Sequence, residues 1–208
     1  MTITADRATA LACEDMQFIT WEHPLVTDIM DTVLSNELGN CAITAVKYTG
    51  GKPGTLLLEC IYLLESSASA ALQSSRYLPP ATLRVLIDAE GIDHAGRLTH
   101  PVMARTQEAV RPLVAKKIVR HYAPQLRAML AAAEQLARGR SSALLAEAHA
   151  HAAQLLEGEI DRLKALKRIN PNVRDEEIRF LQGQWEAVRQ ALTSAGVRLD
   201  ALRVVALL

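Results

Sequence analysis

The stretch Thr55–Ser66 reads TLLLECIYLLES, and the fold turns on how it is read. From Leu56 to Leu64 every residue is apolar except Glu59. The run shows neither a helical stripe nor a clean two-residue alternation, so both faces are expected to be buried. It is bounded by Pro53-Gly54 before and Ser66-Ser67 after, which predicts a central β-strand. A run this short does not cross a membrane as a helix.

Working outward, Cys41–Thr49 (CAITAVKYT) has strand character and Gly50-Gly51-Lys52-Pro53-Gly54 has turn chemistry. Together with 55–65 they predict a β-hairpin. A further strand is expected from Thr82 to Asp88, where Leu83, Val85 and Ile87 alternate with Thr82, Arg84 and Asp88. The segment 66–75 reads as a loop or weak helix, and residues 92–104 show no clear pattern. Upstream, Met1–Asp6 predicts a short strand, and 8–18 carries Ala8, Leu11, Ala12 and Phe18 at helical spacing. A second helix follows from Pro24, with a stripe of Leu25, Ile29, Val33 and Leu34 and a stop at Gly39-Asn40.

Helical periodicity runs from about Thr106 to Arg168. Val110, Leu113, Val114, Ile118, Tyr122, Leu126 and Met129 form one face, and from Leu145 onward Ala148, Ala152, Leu156, Ile160, Leu163 and Leu166 recur at spacings of three and four. Pro124 is expected to kink or restart the helix. Asn172 is placed to cap a following helix whose first turn holds Asp175, Glu176 and Glu177. Ile178, Leu181, Trp185, Val188 and Leu192 make that helix an antiparallel partner, with Gly196 as its stop. The last segment, VRLDALRVVALL, is a strand whose alternation slips at Asp200–Leu202, which permits a bulge. The fold class is α+β: a mostly antiparallel sheet with a long helical hairpin inserted before the C-terminal strand. One domain over 1–208 is expected, with the sheet at about 41–90 plus 197–208 and the helical arm at about 106–195.

Composition excludes several classes. Half of the 208 residues are hydrophobic, so the chain is not disordered. Aromatics are only 4%, which does not suit a base-stacking surface. Formal net charge is +0, with 23 basic and 23 acidic residues. Nucleic-acid contact would therefore need a local patch, and neutrality favours association. Cys13, Cys41 and Cys60 lie far apart with no CxxC spacing, which fits a reduced, cytoplasmic compartment. The N-terminus lacks the cationic and apolar regions of a signal peptide.

Candidate chemistry is sparse. GGKPG superficially resembles a phosphate loop, but Pro53 follows the lysine where Ser or Thr is needed, and a strand follows instead of a helix. His23, His94, His100, His121, His149 and His151 show no HExxH or Cys/His metal spacing, and no GxSxG elbow is present. Glu59 is either a tuned carboxylate or a structural one paired with Arg84 or Arg203; the structural role is favoured because no second catalytic group accompanies it. A stand-alone enzyme would need a pocket holding Glu59 and another titratable group. The basic stretch Arg105, Arg111, Lys116, Lys117, Arg120 and Arg127, offset only by Glu108, could meet nucleic-acid phosphates or an acidic protein, or be a solvated helix face. The turn Asn170–Asp175 reads as a helix connection or as a recognition loop.

Five stretches taken in order carry a resemblance: ALACEDMQFITWEHPLV (10–26), GTLLLECIYLLES (54–66), RYLPPATLRVLID (76–88), LKALKRINPNVRDEEI (163–178) and GVRLDALRVV (196–205). Together they resemble the C-terminal domain of the RapA (HepA) family, bacterial RNA polymerase-associated ATPases of the Swi2/Snf2 class. The resemblance runs from about Asp6 to the end and is weakest over 92–155. It implies a piece of a larger motor, or a detached copy of its tail, in a cytoplasmic protein that recycles RNA polymerase during transcription. ATP and Mg would then be expected only in helicase lobes that this sequence lacks, so the resemblance carries over no catalytic, cofactor or metal residue. The implied partners are RNA polymerase and the motor lobes, with DNA or RNA possible through the parent and no membrane. The expected function is a non-catalytic accessory domain acting as scaffold and contact surface. The alternative is a nucleic-acid-binding module using Arg105–Arg127.

Overall fold

The computed structural model describes residues 2–34, 39–66, 72–170 and 172–208. Two compact units separate in it, residues 1–40 and 41–208.

In the first unit, strands β1 (Thr2–Thr4) and β2 (Met16–Phe18) pair in parallel, and helix α1 (Arg7–Ala12) connects them. Asp6 caps α1 by accepting from the Ala8 and Thr9 amides. The helix expected over 8–18 therefore stops after one and a half turns, and the chain extends again to pair with β1. Helix α2 (Pro24–Leu34) starts at the expected proline. Its stripe presents Leu25 and Ile29, both exposed, while the Val33 and Leu34 side chains lie outside the described ones.

The second unit is built on a five-stranded sheet in the order β5-β4-β7-β3-β6, comprising β3 (Cys41–Val46), β4 (Leu56–Glu65), β5 (Ala81–Ile87), β6 (Gln107–Ala109) and β7 (Gly196–Leu207). Three of its pairings are antiparallel, and only β3–β7 is parallel. The expected β3–β4 hairpin does not form. The two strands do run antiparallel, but β7 lies between them and takes the hydrogen bonds of both. The Gly50–Gly54 connection reverses the chain while spanning the width of one intervening strand, about 10 Å. The slip at Asp200 is a bulge: Ile61 pairs with Ala201 and Tyr62 with Leu199, leaving Asp200 extra.

β4 is buried on both faces, which explains its unbroken apolar run. Leu56, Leu58, Cys60 and Tyr62 pack with Val85, Ile87 and Val204 beneath one helix. Leu57 packs on the other face with Leu86, Val205, Leu98 and Met103. Burial also pushes the Cys60 thiol up to about 11, so it is a packing residue and not a nucleophile.

The helical arm is α4 (Pro112–Lys167) and α5 (Asp175–Thr193). At 56 residues α4 is roughly 84 Å long. The helix expected from Thr106 begins later. A short α3 (His100–Thr106) ends, β6 pairs with β3, and Pro112 holds Arg111 in an extended conformation before α4 starts. Pro124 does not restart the helix, because Tyr122, Leu126 and Met129 fasten that region to the sheet. Leu113 and Val114, expected on the packed face, are exposed. The contact is carried farther along by Met129, Ala133 and Ala137, and small side chains there let helix and sheet approach closely. The second half of α4 packs through Ala148, Ala152 and Leu156 against Val188 and Leu192 of α5. Asn172 does not cap α5: Arg174 occupies the cap without a side-chain bond, and the Asn172 amide donates to Asn170 Oδ1. Lys167 pairs with Asp175 across the turn instead. The recognition-loop reading includes Pro171, which lies outside the described residues. Gly196 opens β7 and does not close α5. Among the described residues no helix is long and apolar enough to cross a membrane.

Candidate interaction surface

The carboxylate that sequence reasoning weighed for chemistry, Glu59, is held by its neighbours. β4 places Glu59 directly opposite Arg203 on β7 and diagonal to Arg84 on β5, where Leu86 is its register partner. Arg84 Nε donates to Oε1 at 2.6 Å and Arg203 Nε to Oε2 at 2.6 Å. Arg84 also donates to the Ala95 and Leu98 carbonyls, so the buried ion pair fastens the loop before α3 onto the sheet. Glu59 is thus doubly paired, as its structural reading required, and its charge is balanced rather than stranded.

A second network lies in the loop that sequence left unread. Asp88 accepts from the Glu90 and Ile92 amides through Oδ1 and meets His94 Nε2 at 2.6 Å through Oδ2. Burial alone would raise the Asp88 pKa, but His94 and these amides outweigh it and hold it below the usual carboxylate value. Asp93 accepts from the Leu86 and Ala95 amides and pairs with Arg140 of α4. Its pKa is also lowered, these contacts outweighing burial. Among the described residues, no three His, Cys, Asp or Glu gather closely enough to hold a metal.

The basic stretch is distributed over three places. Arg105 lies in the last turn of α3, Arg111 caps α4, and Lys116, Lys117, Arg120 and Arg127 lie on α4. All six are exposed. None forms an ion pair with another described residue, because Glu108, their one local acid, pairs with Lys47 at 2.6 Å. Lys116, Arg120 and Arg127 are four and seven residues apart and form one row along the helix; Lys117 sits off it, and Arg105 and Arg111 are on other elements.

Beside that row runs an apolar groove of about 490 Å³. Val119, Ala123, Leu126 and Leu130 of α4 form one wall; Cys41 and Ile43 of β3 and Leu202 of β7 form the other, with Arg127 at its edge. β6 covers β3 only over Thr44–Val46, so Cys41–Ile43 have β7 on one side and no described strand on the other. Sequence reasoning found the cations and missed this groove. Nothing local marks it: it lies where β6 stops at Ala109 and the chain turns into α4 at Pro112.

A family model described as the RNA polymerase recycling family C-terminal matches residues 1–207. The chain belongs to this family. Relatives include the RNA polymerase-associated protein RapA of Pseudomonas fluorescens (strain SBW25), 44% identical over 205 residues covering 99% of this chain. RapA of Pectobacterium carotovorum subsp. carotovorum (strain PC1) is 41% identical over 204 residues covering 98% of it. The chain spans 22% of the length of the first relative and 21% of the second. The family therefore accounts for nearly the whole chain, groove and cation row included.

Proposed function

We propose that this chain is a non-catalytic accessory domain of an RNA polymerase recycling factor, serving as scaffold and protein-contact surface in the cytoplasm. The observation that carries this reading is the family match over 1–207, in relatives named for association with RNA polymerase. The side-chain chemistry supports it, since Glu59 (through Arg84), Asp88 and Asp93 are each engaged in holding the loop after β5 in place. On this reading ATP and Mg are used by motor lobes elsewhere in such proteins, and this chain binds neither. Its partners are RNA polymerase and those lobes.

The test is retention of purified bacterial RNA polymerase by the immobilised 208-residue chain, with ATP hydrolysis measured in parallel. Retention at micromolar concentration without hydrolysis is the expected result. Absence of retention removes direct polymerase contact and leaves only a role toward the motor lobes; hydrolysis removes the non-catalytic assignment.

A second reading, nucleic-acid binding through Arg105–Arg127, draws on the six exposed and unpaired cations. It predicts affinity that falls steeply with salt. Retained affinity after Lys116→Glu and Lys117→Glu would eliminate it.

A further inference from the structure

Resting on the polymerase-contact reading above, we propose that the groove between β3 and α4 is the docking site. Its occupant is an extended, acidic and apolar segment of RNA polymerase, which continues the line of β6 along the open edge of β3.

Three features define that occupant. First, β6 pairs antiparallel with β3 and stops at Ala109 opposite Thr44, while β3 continues back to Cys41. Cys41–Ile43 have no described strand on that side, so an incoming strand can pair there, and main-chain hydrogen bonds give affinity without demanding a particular sequence. Second, alternate side chains of such a strand point toward α4, where Val119 and Leu130 wait. Val119 is 44% exposed although it sits in an apolar wall, so covering it removes apolar surface from water. Third, Arg127 lines the groove, and Lys116 and Arg120 share its row on α4, none of them paired with a described acid. A segment carrying Asp or Glu beside its apolar residues satisfies this row, and the like-charged alternative is repelled. Phosphate recognition alone would leave the apolar wall and the open strand edge without a role.

Cys41 makes the proposal measurable, because it lines the groove and is exposed, whereas Cys60 is fully buried. Cys13 lies in the other unit and serves as an internal control. The 208-residue chain is alkylated with iodoacetamide, with and without Pseudomonas fluorescens core RNA polymerase, and modification of each cysteine is followed by peptide mass spectrometry. With polymerase at ten times its dissociation constant, Cys41 should react about ten-fold more slowly, while Cys13 keeps its rate. Val119→Asp, an exposed substitution, and the pair Arg120→Glu with Arg127→Glu should each weaken polymerase binding and abolish the protection. Polymerase retained with Cys41 unprotected and Val119→Asp without effect overturns the groove assignment while leaving polymerase contact intact. No retention by the unmodified chain overturns both. Protection of Cys41 by mixed-sequence single-stranded RNA or duplex DNA in place of polymerase also overturns it, and transfers the surface to the nucleic-acid reading.

Discussion

β4 and β3 have similar strand chemistry and opposite fates. β4 has β5 on one side and β7 on the other along most of its length, and Leu56 through Cys60 are all buried. β3 shares β7 but keeps a second neighbour only over Thr44–Val46; Cys41 and Ala42 are exposed. The difference teaches that stability in this sheet is concentrated where pairing is complete, and that contact capacity is left where pairing stops. Substitutions in β4 should therefore cost stability, and substitutions on the outer part of β3 should cost little.

The largest effect should come from Glu59→Ala. Removing the carboxylate leaves two largely buried guanidinium groups without their counter-charge, and urea or thermal unfolding should show a loss of about 3–5 kcal/mol. A loss below about 1 kcal/mol would show that water reaches Arg84 and Arg203 and that this strand is less sealed than its burial indicates. Next is Leu58→Ala, which opens a cavity between β4 and α4 and should cost about 3 kcal/mol by the same measurement.

Acid should act on the loop beside β5 more gently. Asp88 and Asp93 have pKa values lowered by folding, so their stabilisation is fully present above the unfolded carboxylate value of about 4 and is lost as pH falls through the folded values. An unfolding series between pH 6 and 2 should show stability falling on the acid side, and Asp93→Asn should flatten that fall. An unchanged slope would remove Asp93 from the acid response. The smallest effect is expected for Ala42→Lys on the open edge, within about 0.5 kcal/mol of the parent. A larger loss would mean that this edge is already covered, and the contrast between the strands would fail.

Much of this was legible in the sequence. The apolar run of β4, the alternation of β5, the slip at Asp200 and the partners of Glu59 all follow from local pattern or simple charge pairing. The helical arm was legible too, but its packed face was misplaced near Leu113 because large residues draw the eye, whereas Ala133 and Ala137 make the close contact. Adjacency was not legible. Gly50–Gly54 encodes a reversal of direction, and turn chemistry does not say whether a third strand will come between the arms. The candidate surface suffered the same limit. Its cations could be named from sequence, but the groove depends on β3 meeting β7 and on β6 ending at Ala109, both consequences of pairing between distant segments.

The insertion of β7 also sets an order of assembly. Until residues 196–207 join, the sheet has no continuous set of hydrogen bonds: β4 has only β5, and β3 has only the three residues of β6. Closing it requires a contact between Glu65 and Gly196, with the whole helical arm folded in between. Such long-range closure is entropically costly, which predicts β7 as the last strand to join in folding. A chaperone or a protease meeting this chain before that step would find two unjoined ribbons, each with a bare edge toward the other.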